Sequence, residues 1–191
     1  NEFTFAMNRG YMLKDQVNHL PSFLCCIDEK TQLNQFTKEY DNFNEIPTFY
    51  NWNKRKKFRK FQNRYFIKER FSPKFLSKNG YLFGSGKSVT YTCIQLAFYM
   101  GFDEVYLIGK DHSYNTKTKP GTSVKVDINS NHFLKNYYRK NQIFDSPDYD
   151  GEEFAYRVAK EHFEKHARKI YDATVNGKLN IFDKVNFNSI F

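Results

Sequence analysis

The chain has 191 residues, with 30 Lys and Arg against 21 Asp and Glu, a formal charge of +9, and 21 Phe beside 14 Tyr. That length fits one domain with a real core. No stretch approaches the roughly 18 apolar residues of a membrane span, and no signal-peptide pattern is visible. The positive balance favours an anionic partner (nucleotide, nucleic acid or acidic membrane surface), or else reflects a compositional habit toward Lys, Asn, Phe and Tyr.

The chain begins at Asn1 rather than Met and enters an apolar run at once. Phe3 to Met7 reads as a buried strand closed by Asn8-Arg9-Gly10, and a sheet that starts so early suggests a piece lacking an upstream strand. Tyr11 to Gln16 reads as a short helix, and Phe23 to Ile27 as a second strand ending on Asp28. Glu29 to Tyr40 is helix-compatible, with Leu33 and Phe36 three apart. Ile46 to Tyr50 is a third strand. The run Asn53 to Arg70, NKRKKFRKFQNRYFIKER, interleaves cations with Phe58, Phe61, Tyr65 and Phe66. It reads as a solvated face whose rings dock inward, or else as a surface for nucleic acid or anionic lipid.

Gly80 to Ser88 reads as a loop, and Val89 to Met100 as the best helix. Val89, Cys93, Leu96, Ala97 and Met100 share one face, and Gly101 terminates it. Val105 to Gly109 is the strand that follows, with Asp111, His112 and Tyr114 where its carboxyl end falls. Asn115 to Ser130 has Pro120, Gly121 and no period, so a mobile loop is expected. Asp150 reads as an N-cap with Glu153 three residues on. The helix face that follows runs through Phe154, Val158, Ala159, Phe163, Ala167 and Ile170. Lys169 to Tyr171 or Asn180 to Phe182 supplies a last strand. Cys25, Cys26 and Cys93 form an odd set without CxxC and read as buried, reduced thiols.

Strands and helices alternating over short connections predict an α/β fold: a Rossmann-like three-layer sandwich with a mostly parallel sheet, in a single domain. Ligands of such sheets sit outside the strands' carboxyl ends. Asp111, His112 and Tyr114 are therefore candidates, against a plain loop whose polar groups satisfy one another. Gly84-Ser85-Gly86-Lys87-Ser88 resembles a phosphate-binding loop. However, Tyr81 stands where that motif needs glycine, and no apolar strand leads in. What survives is Ser88 or Thr90 at a helix N-terminus, able to bind an anion or simply to cap. Asp148-Tyr149-Asp150 matches a metal-holding D-x-D pattern, but Asp directly before a helix reads better as a cap. His162 and His166 lack the Glu of a zinc helix and read as surface residues. His132, after the loop and before Tyr137 and Tyr138, is a candidate general base. No metal set is expected.

Ser88-Val89-Thr90-Tyr91, Gln95 to Phe102, Glu104 to Gly109 and Asp111-His112-Ser113-Tyr114 together resemble a bacterial and archaeal family of glycan loci. Its members are the Maf-like, or 6-hydroxymethylpterin diphosphokinase-like, proteins. The resemblance continues through Asn131-His132-Phe133, Glu153 to His166 and Lys169 to Thr174, so it spans nearly the whole chain. More distantly the chain is similar to bacterial CMP-sialic-acid-dependent sialyltransferases. The resemblance implies a Rossmann-like domain over 1–191, without the family's first strand and its G-N-G-P-S-L type loop. It places Asn8, Asp28, Ser88, Thr90, Asp111, His112 and Tyr114 beside a nucleotide donor and His132 toward the acceptor. Tyr137 and Tyr138 are expected as substrate-binding residues, although the sialyltransferase tyrosines near the leaving phosphate do not align with them.

The expected function is metal-independent, inverting glycosyl transfer from a nucleotide-sugar donor, CMP-linked, to a surface-glycan acceptor. The expected setting is the cytoplasm or the inner face of the membrane, with peripheral contact to anionic lipid and no nucleic acid. No cofactor is expected. The alternatives are a pterin diphosphokinase or a basic nucleic-acid or membrane-binding module.

Overall fold

The structure, a computed structural model, describes residues 2–76, 82–113, 118–125, 137–139 and 142–190. In chain order its strands and α-helices are β1 (Phe5–Met7), α1 (Lys14–Val17), β2 (Phe23–Cys26), α2 (Thr37–Asn42), β3 (Thr48–Asn51), β4 (Arg64–Arg70) and β5 (Leu82–Gly84). There follow α3 (Val89–Met100), β6 (Glu104–Leu107), β7 (Ser123–Lys125), β8 (Ile143–Asp145), α4 (Tyr149–Glu164), β9 (Lys169–Asp172) and β10 (Asp183–Lys184). The chain is mixed α/β and Rossmann-like, as its pattern predicts. It divides into two compact units, 1–69 with 117–146 and 70–116 with 147–191.

In the first unit β1, β2, β3 and β4 lie side by side and parallel, with Phe5 opposite Phe23, Leu24 opposite Thr48, and Phe49 opposite Tyr65. The core packs Cys26, Leu33, Phe36, Tyr40, Tyr50 and Phe58 together. A helix spanning Glu29 to Tyr40 does not form. Asp28 caps a single π-turn, Glu29–Leu33, and α2 starts only after Phe36, whose backbone (φ −121°, ψ 32°) breaks the run. Likewise Tyr11 to Gln16 divides between a 3₁₀ turn, Asn8–Leu13, and the four residues of α1. The expected loop from Asn115 contains β7, paired antiparallel with β8. Lys30 pins that hairpin to the π-turn by donating to Ser123 Oγ at 2.6 Å and to Asp145 at 2.8 Å.

In the second unit β6, β9 and β10 form a parallel sheet, with Val105 opposite Ile170 and Asp183 opposite Tyr171. Asp172 is fully buried, and accepts from Lys184 Nζ at 2.6 Å and from the Thr174 N–H at 2.9 Å. The helix α3 has the predicted limits. Ser88 Oγ accepts the Thr90 N–H at the start, and Gly101 closes the end at φ 91°, a conformation only glycine adopts without strain. The single apolar face expected of it is absent. Every residue from Thr90 to Ala97 is buried, while Met100 is exposed, because Tyr91 and Ile94 join the core on the side opposite Leu96. The cap of α4 is Asp148, whose carboxylate takes the Gly151 N–H, rather than Asp150. Its buried stripe is Glu152, Ala155, Tyr156, Ala159 and Phe163, and Phe154 faces out.

A strand also precedes the glycine loop. Leu82, Phe83 and Gly84 form β5, and the chain turns at once into α3. Gln95 on α3 answers the last strand residue at two points, its Oε1 accepting the Gly84 N–H at 2.9 Å and its Nε2 donating to the Gly84 carbonyl at 3.0 Å. Gly86 is held against the Tyr91 ring, so an added Cβ would lie 2.3 Å from Tyr91 Cδ1. Gly86→Ala is expected to destabilise the protein by about 1–3 kcal/mol, the cost of overpacking a fixed aromatic. An unchanged urea midpoint would refute the tight approach. Cys25, Cys26 and Cys93 are buried thiols outside any disulfide. Among the described residues no helix is long and apolar enough to cross a membrane.

Candidate functional site

A polar cluster of the second unit lies where β6 ends and where α3 and α4 begin. Beyond β6 the backbone turns through Gly109 (φ 71°) and again at His112 (φ 52°), a left-handed conformation that few non-glycine residues adopt. The turn is tied down from outside. The Lys110 N–H donates to Thr174 Oγ1 at 3.0 Å, and the Asp111 carbonyl accepts from the Lys178 N–H at 2.9 Å. Between these anchors the Lys110 side chain reaches Glu152 on the first turn of α4, Nζ to Oε2 at 2.7 Å. Both side chains are nearly buried, at 12% and 6% exposure.

His112 completes the group. Its Nε2 lies 3.2 Å from Glu153 Oε1, its ring meets the Tyr149 ring edge-on at 4.5 Å, and its Nδ1 is 3.8 Å from Glu152. That Nδ1 is buried and has no hydrogen-bond partner. A buried ring nitrogen left without a partner is costly in a folded protein unless something else meets it. On the other side of Lys110 stands Tyr156, its ring centroid 5.7 Å from the ammonium. The Tyr156 hydroxyl donates to Ser88 Oγ at 3.1 Å. Burial pushes the Tyr156 phenol up in pKa, so it stays a neutral donor. A chain of contacts thus runs from the α3 cap through Tyr156, Lys110 and Glu152 to His112.

Of the residues predicted from sequence, this cluster unites Ser88 and His112, with Thr90 buried in the first turn of α3. The Asp111 carboxylate is exposed and outside the network, because its backbone rather than its side chain is held. Lys110, Glu152 and Tyr156 were not singled out. Lys110 lies beside Asp111 in sequence, but its partner is 42 residues further on. Lys87 has φ 61° and is exposed, and its Cγ would lie 3.0 Å from a Cβ at Gly151 on the first turn of α4. With β5 in place, the strand, glycine turn and helix of a phosphate-binding loop are present, although its glycine spacing is not. Among the described residues no three His, Cys, Asp or Glu side chains converge as a metal site.

Asn8, Asp28, Tyr137 and Tyr138 belong to the first unit. Asn8 follows β1 at φ 51°, and its buried Oδ1 has no partner. Asp28 is engaged as a cap, accepting from the Thr31 N–H at 2.8 Å and from the Thr31 hydroxyl. Tyr137 is buried, its carbonyl accepting from Arg9, and Tyr138 packs edge-on to it at 5.0 Å. His132 and Tyr114 lie outside the described residues. His162 is not a plain surface residue, because it stacks on Phe75 at 4.2 Å. Burial, with His166 and Lys165 nearby, lowers its pKa.

Close to Tyr137, Glu39 accepts from the Tyr11 hydroxyl at 2.8 Å and pairs with Arg9 at 3.1 Å and with Arg139. Burial alone would raise the Glu39 pKa, but the Tyr11 hydrogen bond and the two guanidinium groups lower it on balance. Burial and the same carboxylate push Tyr11 up to about 12. A carboxyl whose folded pKa is depressed adds stability above its unfolded value, about 4.3, and loses it as the pH falls through the folded value. Thermal melts of Glu39→Gln should therefore decline less steeply than wild type below about pH 4. Parallel acid limbs would remove Glu39 from the account.

Comparison with known proteins gives one family match. The model of the 6-hydroxymethylpterin diphosphokinase MptE-like family matches residues 11–117, which include β5, α3, β6 and the turn carrying Lys110 and His112. No curated protein and no solved structure matches.

Proposed function

From the premise that this chain belongs to the MptE-like family, a family of transferase-like enzymes, we propose that it transfers a group from a nucleotide donor. On this reading the donor phosphate lies at the first turn of α3. The carrying observation is the network from Ser88 through Tyr156 and Lys110 to His112, at the carboxyl end of a parallel strand and at two helix N-termini. The positive end of a helix favours a phosphate there. Lys110, desolvated and paired with Glu152, fixes the β6 turn against the first turn of α4.

The finer reading is glycosyl transfer from a sugar nucleotide, CMP-linked, to a glycan hydroxyl. The chain's own residues would then do two things. Hydroxyl and N–H donors around Ser88 would take up negative charge as the phosphate departs. His112, oriented by Glu153 through Nε2, would present Nδ1 as the acid–base group, the arrangement of a base held by a carboxylate. His132 is a second candidate for that proton. The family match favours a second reading, pyrophosphoryl transfer to a pterin, in which the same turn of α3 would hold ATP.

Melting the full chain with CMP, CMP-sugars, UDP-sugars, or ATP with Mg²⁺ separates these readings. Stabilisation by CMP and its sugars, with release of CMP on adding an acceptor, is the expected result. A shift only with Mg²⁺-ATP, together with AMP formation, would move the assignment to the diphosphokinase. If no nucleotide stabilises the protein, the transferase reading fails.

A further inference from the structure

The first unit carries a second charged feature, distant in sequence from the turn of β6. A cleft of about 630 Å³ opens there, lined by Arg55, Lys56, Lys60 and Arg64 over the rings of Phe58, Phe61 and Phe66. Its volume lies within the range of small-ligand sites, and no carboxylate lines it. Of its four cations only Arg64 is neutralised by a neighbouring acid among the described residues. Asp41 is taken by Arg59 at 3.2 Å and Arg64 at 3.3 Å, and Glu29 faces Lys54 at 3.7 Å. Arg55, Lys56 and Lys60 make no ion pair among the described residues. Arg64 itself serves the fold, its guanidinium donating to Asp41 and to the carbonyls of Arg59, Tyr40 and Phe43. Its side chain is 1% exposed, and its buried Nε has no acceptor.

The rings show what kind of ligand this cleft is built for. Binding of single-stranded nucleic acid relies on open aromatic faces that stack on bases. Of the three cleft rings, Phe58 and Phe61 are already covered by the core or by the protein's own cations, and only Phe66 has none over it among the described residues. Arg55 lies 4.4 Å over Trp52, Arg64 lies 4.6 Å over Phe61, and Phe58 is buried. What remains open is chiefly charge. We propose that the cleft of Arg55, Lys56 and Lys60 is a phosphate-binding site that recognises the phosphoryl group of its ligand and not a flat base. That group belongs either to a free phosphate compound or to the headgroup of an anionic lipid.

The test uses the full chain, a triple variant Arg55→Gln, Lys56→Gln, Lys60→Gln, and a control that loses equal charge elsewhere, Lys38→Gln, Lys125→Gln, Lys165→Gln. Circular dichroism checks that both are folded. One arm titrates inorganic pyrophosphate at physiological ionic strength. The other sediments the protein with phosphatidylcholine vesicles, with or without phosphatidylglycerol. A headgroup site predicts loss of binding to the anionic vesicles by on the order of 100-fold in the cleft variant, from three surface cations. A free-phosphate site predicts that loss in the pyrophosphate arm. In either case the control keeps its affinity. The proposal is overturned if neither arm changes in the cleft variant, or if the control falls as far. It is equally overturned if oligonucleotides bind in an order set by their bases and Phe61→Ala abolishes that order. Pyrophosphate held at the first turn of α3 would remain in both variants, so the loss specific to the cleft variant reports on the cleft alone, and this site and the transferase reading stand or fall separately.

Discussion

Replacing Lys110 with methionine is expected to lower the unfolding free energy by about 3–5 kcal/mol, because it leaves the Glu152 carboxylate buried without its counter-charge. The shape of the side chain is nearly kept, so packing against Tyr156 changes little and the loss reports on charge. Replacing both partners, Lys110→Met with Glu152→Leu, should recover much of the loss, since an apolar pair of similar volume no longer pays for desolvating ions. Urea denaturation of the two single variants and the double variant closes the cycle. If Lys110→Met costs under about 1 kcal/mol, the pair is solvated, and its place at the centre of the network is wrong.

The second large effect concerns turnover. With His112 as the acid–base group, His112→Gln should lower the rate by roughly 10²–10⁴-fold while donor affinity stays within a few-fold. Glutamine keeps a polar group near Glu153, which separates loss of proton transfer from loss of fold. A variant that turns over normally would leave His112 a strained structural residue and pass the proton to His132. A variant that loses donor binding and rate together would make it a positioning residue for the phosphate.

What the sequence revealed follows from how local each signal is. The limits of α3 are written in Ser88 and Gly101, both of which act within one turn of the helix they bound. The parallel strands β1, β2 and β3 announce themselves as short apolar runs, since strands covered on both faces need no alternation. The strand β5 was hidden because Leu82-Phe83-Gly84 is three residues long, ends in glycine and is completed by hydrogen bonds from elsewhere. The π-turn after Asp28 has the same periodicity as a helix until Phe36 breaks it. In the candidate site, Ser88 and His112 were legible because a cap and a strand end mark their places. Lys110, Glu152 and Tyr156 were not, because burial turned an ordinary lysine, glutamate and tyrosine into a network, and burial is decided by the packing of α4.

The Gln95 amide, bonded to both main-chain groups of Gly84, ties the end of β5 to α3 where water cannot take its place. Both residues are buried, so the Gly84 N–H and carbonyl have no solvent to fall back on. A leucine at position 95 would fill the same space and leave two main-chain groups sealed without partners, at about 1–3 kcal/mol for each. One polar side chain thus decides whether the strand end before the glycine turn can be buried at all.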